Sequence, residues 1–308
     1  MERAIRLYRK RISRCRTENQ VNLVHIALEN YITPDEVRYL GAALADDPAD
    51  SPSGRWIARL RYFMPTEAVR PVEFERRGVR KGMTRYTADI GSPAQKTLIL
   101  GFASKSHRLM LPMHCLLGCL DPALYDVIVL RDFSRRFFSM GIPGLGEDFF
   151  ETLSNLRHHA DLSAYRNSIA LGTSSGGLPA LLAAIQLRLD RGISIGGVDF
   201  PQLAARLRRY GVSEEPYAEL LASRPDPFPE LLLVYSGGYA IDEAAASALH
   251  QCVPSQLWPV KNSEGHAVLA WKFAQRRLPA FLSNLLGQSV EHRDPPEAIN
   301  PKGRTHDR

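Results

Sequence analysis

After Gly91 the chain settles into one rhythm: short apolar runs alternate with segments of helical character. The runs are TLILGF (97–102), YDVIVL (125–130), SIALG (168–172), ISIGGV (193–198), LLLVYS (231–236) and QLWPV (256–260). Helical segments lie near 108–119, 147–159, 176–189, 201–210, 242–250 and 266–286. Runs of this length that are apolar at nearly every position suit strands buried on both faces. Strands that alternate with helices build a parallel sheet covered on both sides. Upstream, candidate strands at about 69–76 and 83–90 flank a basic turn containing Gly78 and Gly82, which predicts a hairpin. The expected fold is therefore α/β, a mostly parallel doubly wound sheet with helices on both faces.

The stretch Gly172-Thr173-Ser174-Ser175-Gly176 matches G-x-S-x-G. It follows a predicted buried strand and opens a predicted helix, which is where a nucleophile elbow belongs. The glycines give room for a serine held in a strained turn, and the helix start aims amide N–H groups at developing negative charge. Pro179 is tolerable there, since the first helical amides have no partner to lose. A serine hydroxyl needs a base to remove its proton. Downstream, Asp242 lies in a glycine-containing loop after the run 231–236, and His266 lies after the last run, before the last helix. His107 and His114 precede the serine, and His158-His159 sits at a helix end, so these fit less well.

With the chain order Ser…Asp…His, residues 69–286 resemble the α/β-hydrolase superfamily of serine hydrolases. The resemblance implies Ser174 as nucleophile, His266 as base and then acid, and Asp242 as the residue holding the imidazole tautomer. It also implies an oxyanion hole from the Ser175 N–H and a second N–H on Phe102 or Ala103. Asp199, after the preceding run, is the alternative acid, and Asp242 could instead be a helix N-cap. No HGGG-type motif is present, and no large insertion separates the runs 193–198 and 231–236. The implied activity is cleavage of an ester or thioester through an acyl-enzyme, with water or another acceptor taking the acyl group. No cofactor is implied. The alternative is a non-catalytic binding or scaffold protein on the same fold.

Candidate substrate-binding residues follow the first two parallel runs: Lys105, then Arg135, Arg136 and Phe138. The cations could hold a carboxylate, phosphate or anionic sugar, or could simply face solvent. Phe138 could line an acyl pocket. The expected substrate is a small molecule or a carrier-linked acyl group. His114, Cys115 and Cys119 have a metal-like spacing but sit in an apolar helix, where buried thiols are the better reading and no metal is expected.

Residues 1–50 read as a small helical module. Thr33-Pro34-Asp35-Glu36 is a capping box with proline at the first helical position. Seven cationic residues stand against Glu2 in the first sixteen, so this segment carries the chain's whole formal charge of +6. Ile5, Tyr8, Ile12 and Cys15 are spaced as an apolar helical stripe. Residues 1–16 thus could contact a protein or an acidic surface, or dock on their own domain; no stable nucleic-acid complex is expected. Residues 51–68 read as a linker followed by an ambiguous strand or helix, and 287–308 as a disordered polar tail. No run approaches 18 apolar residues, which excludes a helical membrane span of the usual kind. The start lacks the apolar core of a secretory signal, and the cysteines form no C-x-x-C pair, so a cytoplasmic protein with reduced thiols is expected.

Overall fold

Every residue of Thr97–Phe102 and Tyr125–Leu130 is buried, as runs apolar at nearly every position require. The computed structural model, which describes residues 2–64 and 72–287, places these runs in one sheet. A hairpin of β1 (Glu75–Arg80) and β2 (Met83–Thr87) comes first. Six strands follow: β3 (Thr97–Phe102), β4 (Tyr125–Leu130), β5 (Asn167–Thr173), β6 (Arg191–Ile195), β7 (Glu230–Ser236) and β8 (Gln256–Val260). The sheet order is β1-β2-β4-β3-β5-β6-β7-β8; the hairpin is antiparallel, joins β4 through β2, and every later pairing is parallel. This is a mostly parallel, doubly wound α/β sheet. Pro259 is accommodated because β8 is an edge strand.

Four helices precede the sheet: α1 (Glu2–Ile12), α2 (Glu18–Glu29), α3 (Pro34–Ala43) and α4 (Pro52–Tyr62). Eight more alternate with or follow the strands: α5 (Met113–Gly118), α6 (Phe149–Ala160), α7 (Gly177–Leu187), α8 (Phe200–Arg209), α9 (Glu215–Ala222), α10 (Ala240–Cys252), α11 (Val268–Ala274) and α12 (Leu278–Leu285). Alternate strand residues feed two cores. Leu98, Leu100 and Phe102 pack with α6 through α10, whereas Ile99, Val127 and Val129 pack with α5, α11 and α12.

The helical module has its own core of Ile5, Tyr8, Val37, Leu40, Trp56 and Leu60. The capping box forms as read: Glu36 N–H donates to Thr33 Oγ1 at 3.2 Å and Thr33 N–H to Glu36 Oε2 at 3.0 Å. Helix α1 docks its apolar stripe here and leaves Arg6, Arg9, Lys10 and Arg11 exposed. Of the strand and helix left open for 51–68, the structure forms the helix, and it begins inside the stretch read as linker. Residues 52–62 form helix α4, because Ser51 caps Gly54 N–H at 3.0 Å, Pro52 suits the first turn, and Trp56, Ile57 and Leu60 share one buried face. Residues 65–71, the start of the expected strand at 69–76, and the tail from 288 onward lie outside the described residues.

Two expected helices change at left-handed residues. The segment 266–286 splits into α11 and α12 around Arg276 (φ 58°), with Pro279 opening the second helix. The segment 108–119 becomes helical only at Met113, after His107 (φ 62°) and Met110 (φ 59°). Helix α9 was not expected. No helix among the described residues is long and apolar enough to cross a membrane, and Cys15, Cys115 and Cys252 are free thiols.

One feature of the topology locates the site. Strand β5 pairs with β3, not with the preceding β4. The order reverses there, so the loops after β3 and β5 face each other at the carboxyl end of the sheet, the place where such sheets bind ligands.

Candidate active site

Ser174 follows β5 with φ 53°, a left-handed conformation that few non-glycine residues adopt. Its neighbours show why small residues surround it. A Cβ on Gly176 would lie 2.9 Å from the Ala103 carbonyl oxygen and nearer still to that of Phe102. A Cβ on Gly172 would collide with the Gly176 carbonyl, and one on Gly177 with Ser194 Oγ. The elbow is therefore wedged between the end of β3 and β6. Ser174 is half-buried, and the Ser175 amide lies in the first turn, where amides have no earlier carbonyl to bond.

Thr173 pairs in register with Ile195, so Ser174 and Gly196 each lie one residue past the end of adjacent strands. Gly196 (φ 57°) sits against the other two expected residues: its Cβ would be 2.9 Å from Asp242 Oδ2 and 3.1 Å from His266 Nδ1. His266 Nδ1 lies 2.9 Å and 3.0 Å from the two Asp242 oxygens. A carboxylate can only accept, so Nδ1 carries the hydrogen and Nε2 is left to accept a proton. Asp242 is 4 % exposed and is the third residue of α10, whose N-cap is Tyr239, so it is not itself a helix cap. The hydrogen bond to Asp242 raises the His266 pKa above its usual value, against the opposing effect of burial. Asp199 is used elsewhere: it caps α8, accepting from Gln202 N–H at 2.8 Å. The loops carrying Asp242 and His266 are tied together, because the Ser263 carbonyl accepts from Ser236 Oγ–H and from Gly238 N–H at 2.9 Å.

The oxyanion expectation changes at its second donor. Ala103 N–H donates to the Leu130 carbonyl at 3.0 Å, so it is committed to β4. Adjacent amides in a strand point opposite ways, so Phe102 N–H faces β5, where Phe102 pairs with Gly172. The Ala103 amide is therefore not free in this structure.

The expected substrate-binding residues also take other roles. Phe138 is 1 % exposed and packs edge-on to Phe102, with ring centroids 5.3 Å apart, so it is core beneath the site and not an open pocket wall. Arg136 lies over the Tyr210 ring at 5.2 Å and Lys105 over the Phe137 ring at 5.3 Å; Arg135 is exposed. Sequence reasoning passed over Asp132. Its carboxylate is buried, accepts Phe138 N–H at 2.9 Å and Ser134 Oγ–H, and so holds a loop in which Arg135, Phe137 and Phe138 all have positive φ. The cluster of charge around it was the only sequence signal. Among the described residues, no group of three His, Cys, Asp or Glu side chains could hold a metal. His114 Nε2 instead contacts Cys115 Sγ at 3.3 Å inside buried α5.

The site thus combines a doubly wound sheet, a serine with positive φ after β5 and a carboxylate-held histidine after β8. No protein-family model and no curated protein matches the sequence. Among solved structures, the chain is similar to an enterobactin esterase from Shigella flexneri at 17% identity, covering 73% of this chain and 62% of that one, with a TM-score of 0.44. It is similar to brefeldin A esterase, a bacterial enzyme, at 11% identity over 82% of this chain and 84% of that one, with a TM-score of 0.47. Esterase B from Lactobacillus Rhamnosis is 13% identical over 83% of this chain and 99% of that one, with a TM-score of 0.42. The chain thus spans less than two thirds of the length of the enterobactin esterase.

Proposed function

We propose that the protein is a serine hydrolase that cleaves an ester or thioester through an acyl-enzyme. The observation that carries this reading is the His266–Asp242 pair, seated on Gly196 one strand away from a serine held at φ 53°. His266 Nε2 takes the Ser174 hydroxyl proton as Oγ attacks the substrate carbonyl. Asp242 keeps the proton on Nδ1 and stabilises the imidazolium that forms. The Ser175 N–H donates to the oxyanion. The tetrahedral intermediate collapses, the alcohol or thiol leaves with the proton from His266, and the acyl group stays on Ser174. Water, or an acceptor alcohol, then attacks the acyl-enzyme with His266 again as base.

The test is labelling of the purified protein with a fluorophosphonate probe, comparing wild type with Ser174→Ala and His266→Ala. Labelling of wild type that disappears in both folded variants is expected, since losing either member of such a unit costs on the order of 10⁶ in kcat. Folded wild type that does not label would favour a non-catalytic binding protein.

A further inference from the structure

The loop after β3 is held from outside the sheet domain. Gly176 packs against the Phe102 and Ala103 carbonyls, so the position of this loop sets one wall of the Ser174 site. The loop folds on itself, with Ser104 N–H donating to the Arg108 carbonyl at 3.0 Å and His107 at φ 62°. Three ties then run from it to the C-terminal end of α2. Asn30 Nδ2–H donates to the Ser106 carbonyl at 3.1 Å. Arg108 pairs with Glu29 at 3.6 Å. The third tie passes through Arg131, the residue after β4.

Arg131 is completely buried and has no ion pair with a carboxylate among the described residues. Burying a guanidinium so is costly unless its donors are satisfied. Its Nε–H donates to the His107 carbonyl at 3.1 Å and its terminal nitrogens to Thr84 Oγ1 at 3.0 Å and to the Asn30 carbonyl. Its flat face lies 4.2 Å from the Tyr31 ring centroid, where the π-system supplies the negative charge that no carboxylate does. One side chain thus bridges the helical module, the hairpin and the loop beside Ser174. A lysine has neither the fork nor the flat face needed to do so.

We propose that Arg131 and Asn30 are positioning residues for the loop after β3, so that the helical module is a working part of the active site. The catalytic half of this rests on the serine-hydrolase reading. The test uses the full chain with Asn30→Ala and Arg131→Lys, and Arg76→Gln as control. Arg76 pairs with Glu36 at 2.6 Å and ties the module to the hairpin without touching the loop. Hydrogen exchange is read on residues 103–111, and kcat and KM on a nitrophenyl ester. Both variants should speed exchange of that loop and lower kcat between about tenfold and a hundredfold, the cost of a small misplacement, with KM little changed. The control should leave kcat and the loop alone. Unchanged loop exchange in both variants overturns the proposal, as does an equal loss of kcat in the control. If Arg131→Lys fails to fold, Asn30→Ala decides. If wild type itself does not turn over, the hydrolase reading fails, and loop exchange still decides whether these residues hold the loop.

Discussion

His266 Nδ1 is shared almost equally between the two oxygens of Asp242, at 2.9 Å and 3.0 Å. This bond raises the His266 pKa above 6.5, with burial acting against it. A base works only when neutral, so the acid limb of the kcat/KM profile should lie above pH 6.5. Asp242→Asn should move that limb down and lower kcat by about 10⁴-fold, as expected when the tautomer is lost. The stability consequence has the same origin. A raised folded pKa means protonated His266 contributes stability that is fully present below pH 6.5 and lost as pH rises through the folded value. Asp242→Asn should flatten that part of the stability profile. An acid limb that Asn leaves in place would place the essential base elsewhere.

The glycines around the elbow should separate stability from activity. Gly176→Ala drives a Cβ into the backbone of Phe102 and Ala103, which cannot move without moving β3. It should lower the melting temperature sharply and abolish probe labelling. Gly196→Ala meets the Asp242 and His266 side chains at 2.9 Å to 3.1 Å and adds about 1–2 kcal/mol of left-handed strain. Its protein should fold, with kcat reduced at least about tenfold, in the range that a small displacement of catalytic groups costs. Equal melting losses with equal activity losses would contradict this division.

A third prediction concerns the opposite end of the sheet. Lys96 Nζ lies 3.1 Å from Asp126 Oδ1 and donates to the Ala88 carbonyl at 3.0 Å, while Tyr165 OH donates to Asp126 Oδ2 at 2.8 Å. Both charged side chains are buried. Lys96→Met leaves an uncompensated carboxylate and should cost about 3–5 kcal/mol in urea unfolding. Adding Asp126→Asn should recover part of that loss. Because these residues begin β3 and β4, far from the strand ends that carry the site, kcat of the folded protein should not change.

The central parallel strands were legible because burial on both faces leaves a local mark, a nearly continuous apolar run, whereas the edge strand β8 carries such a run although most of it is exposed. The pairing of Asp242 with His266 was legible for a related reason: each lies a short way past the end of a strand, on the side where crossovers begin. Helix α4 was harder, since Ser51-Pro52 reads as a turn until Trp56, Ile57 and Leu60 have a module to bury against. The Ala103 amide was misassigned because a strand's last hydrogen bond depends on its neighbour, here Leu130. Arg131 was legible only as one of several cations after the run 125–130, with nothing to mark it as a buried bridge. Its partners lie at Asn30, Tyr31, Thr84 and His107, and only the folded chain assembles them.

The protein should lose stability on mild acidification, from two histidines that fold neutral. His25 stacks on Trp56, at 4.2 Å with the planes 2° apart, and lies beside Tyr8, whose ring also stacks on Trp56 and whose OH lies 3.1 Å from Nε2. Burial, with Arg59 adding to it, pushes its pKa down to about 4. His114 in α5 is pushed to about 4 by burial, with Arg108 adding. Both folded values lie below the unfolded value near 6.5, so the unfolded chain takes up protons first. Their contribution is fully present above pH 6.5 and is lost as pH falls from there toward about 4, by up to about 1.4 kcal/mol per pH unit for each ring. Below pH 6.5 His266 adds nothing further, because its own contribution is already fully present there. Urea unfolding at pH 7, 6 and 5 should therefore show falling stability before most carboxylates titrate. His25→Phe keeps an aromatic ring stacked on Trp56 and removes one titrating group. It should lower stability at pH 7, through the lost Tyr8 hydrogen bond, yet make the decline toward pH 5 shallower by about one proton's worth. An unaltered slope in that variant would mean that His25 protonates inside the folded module.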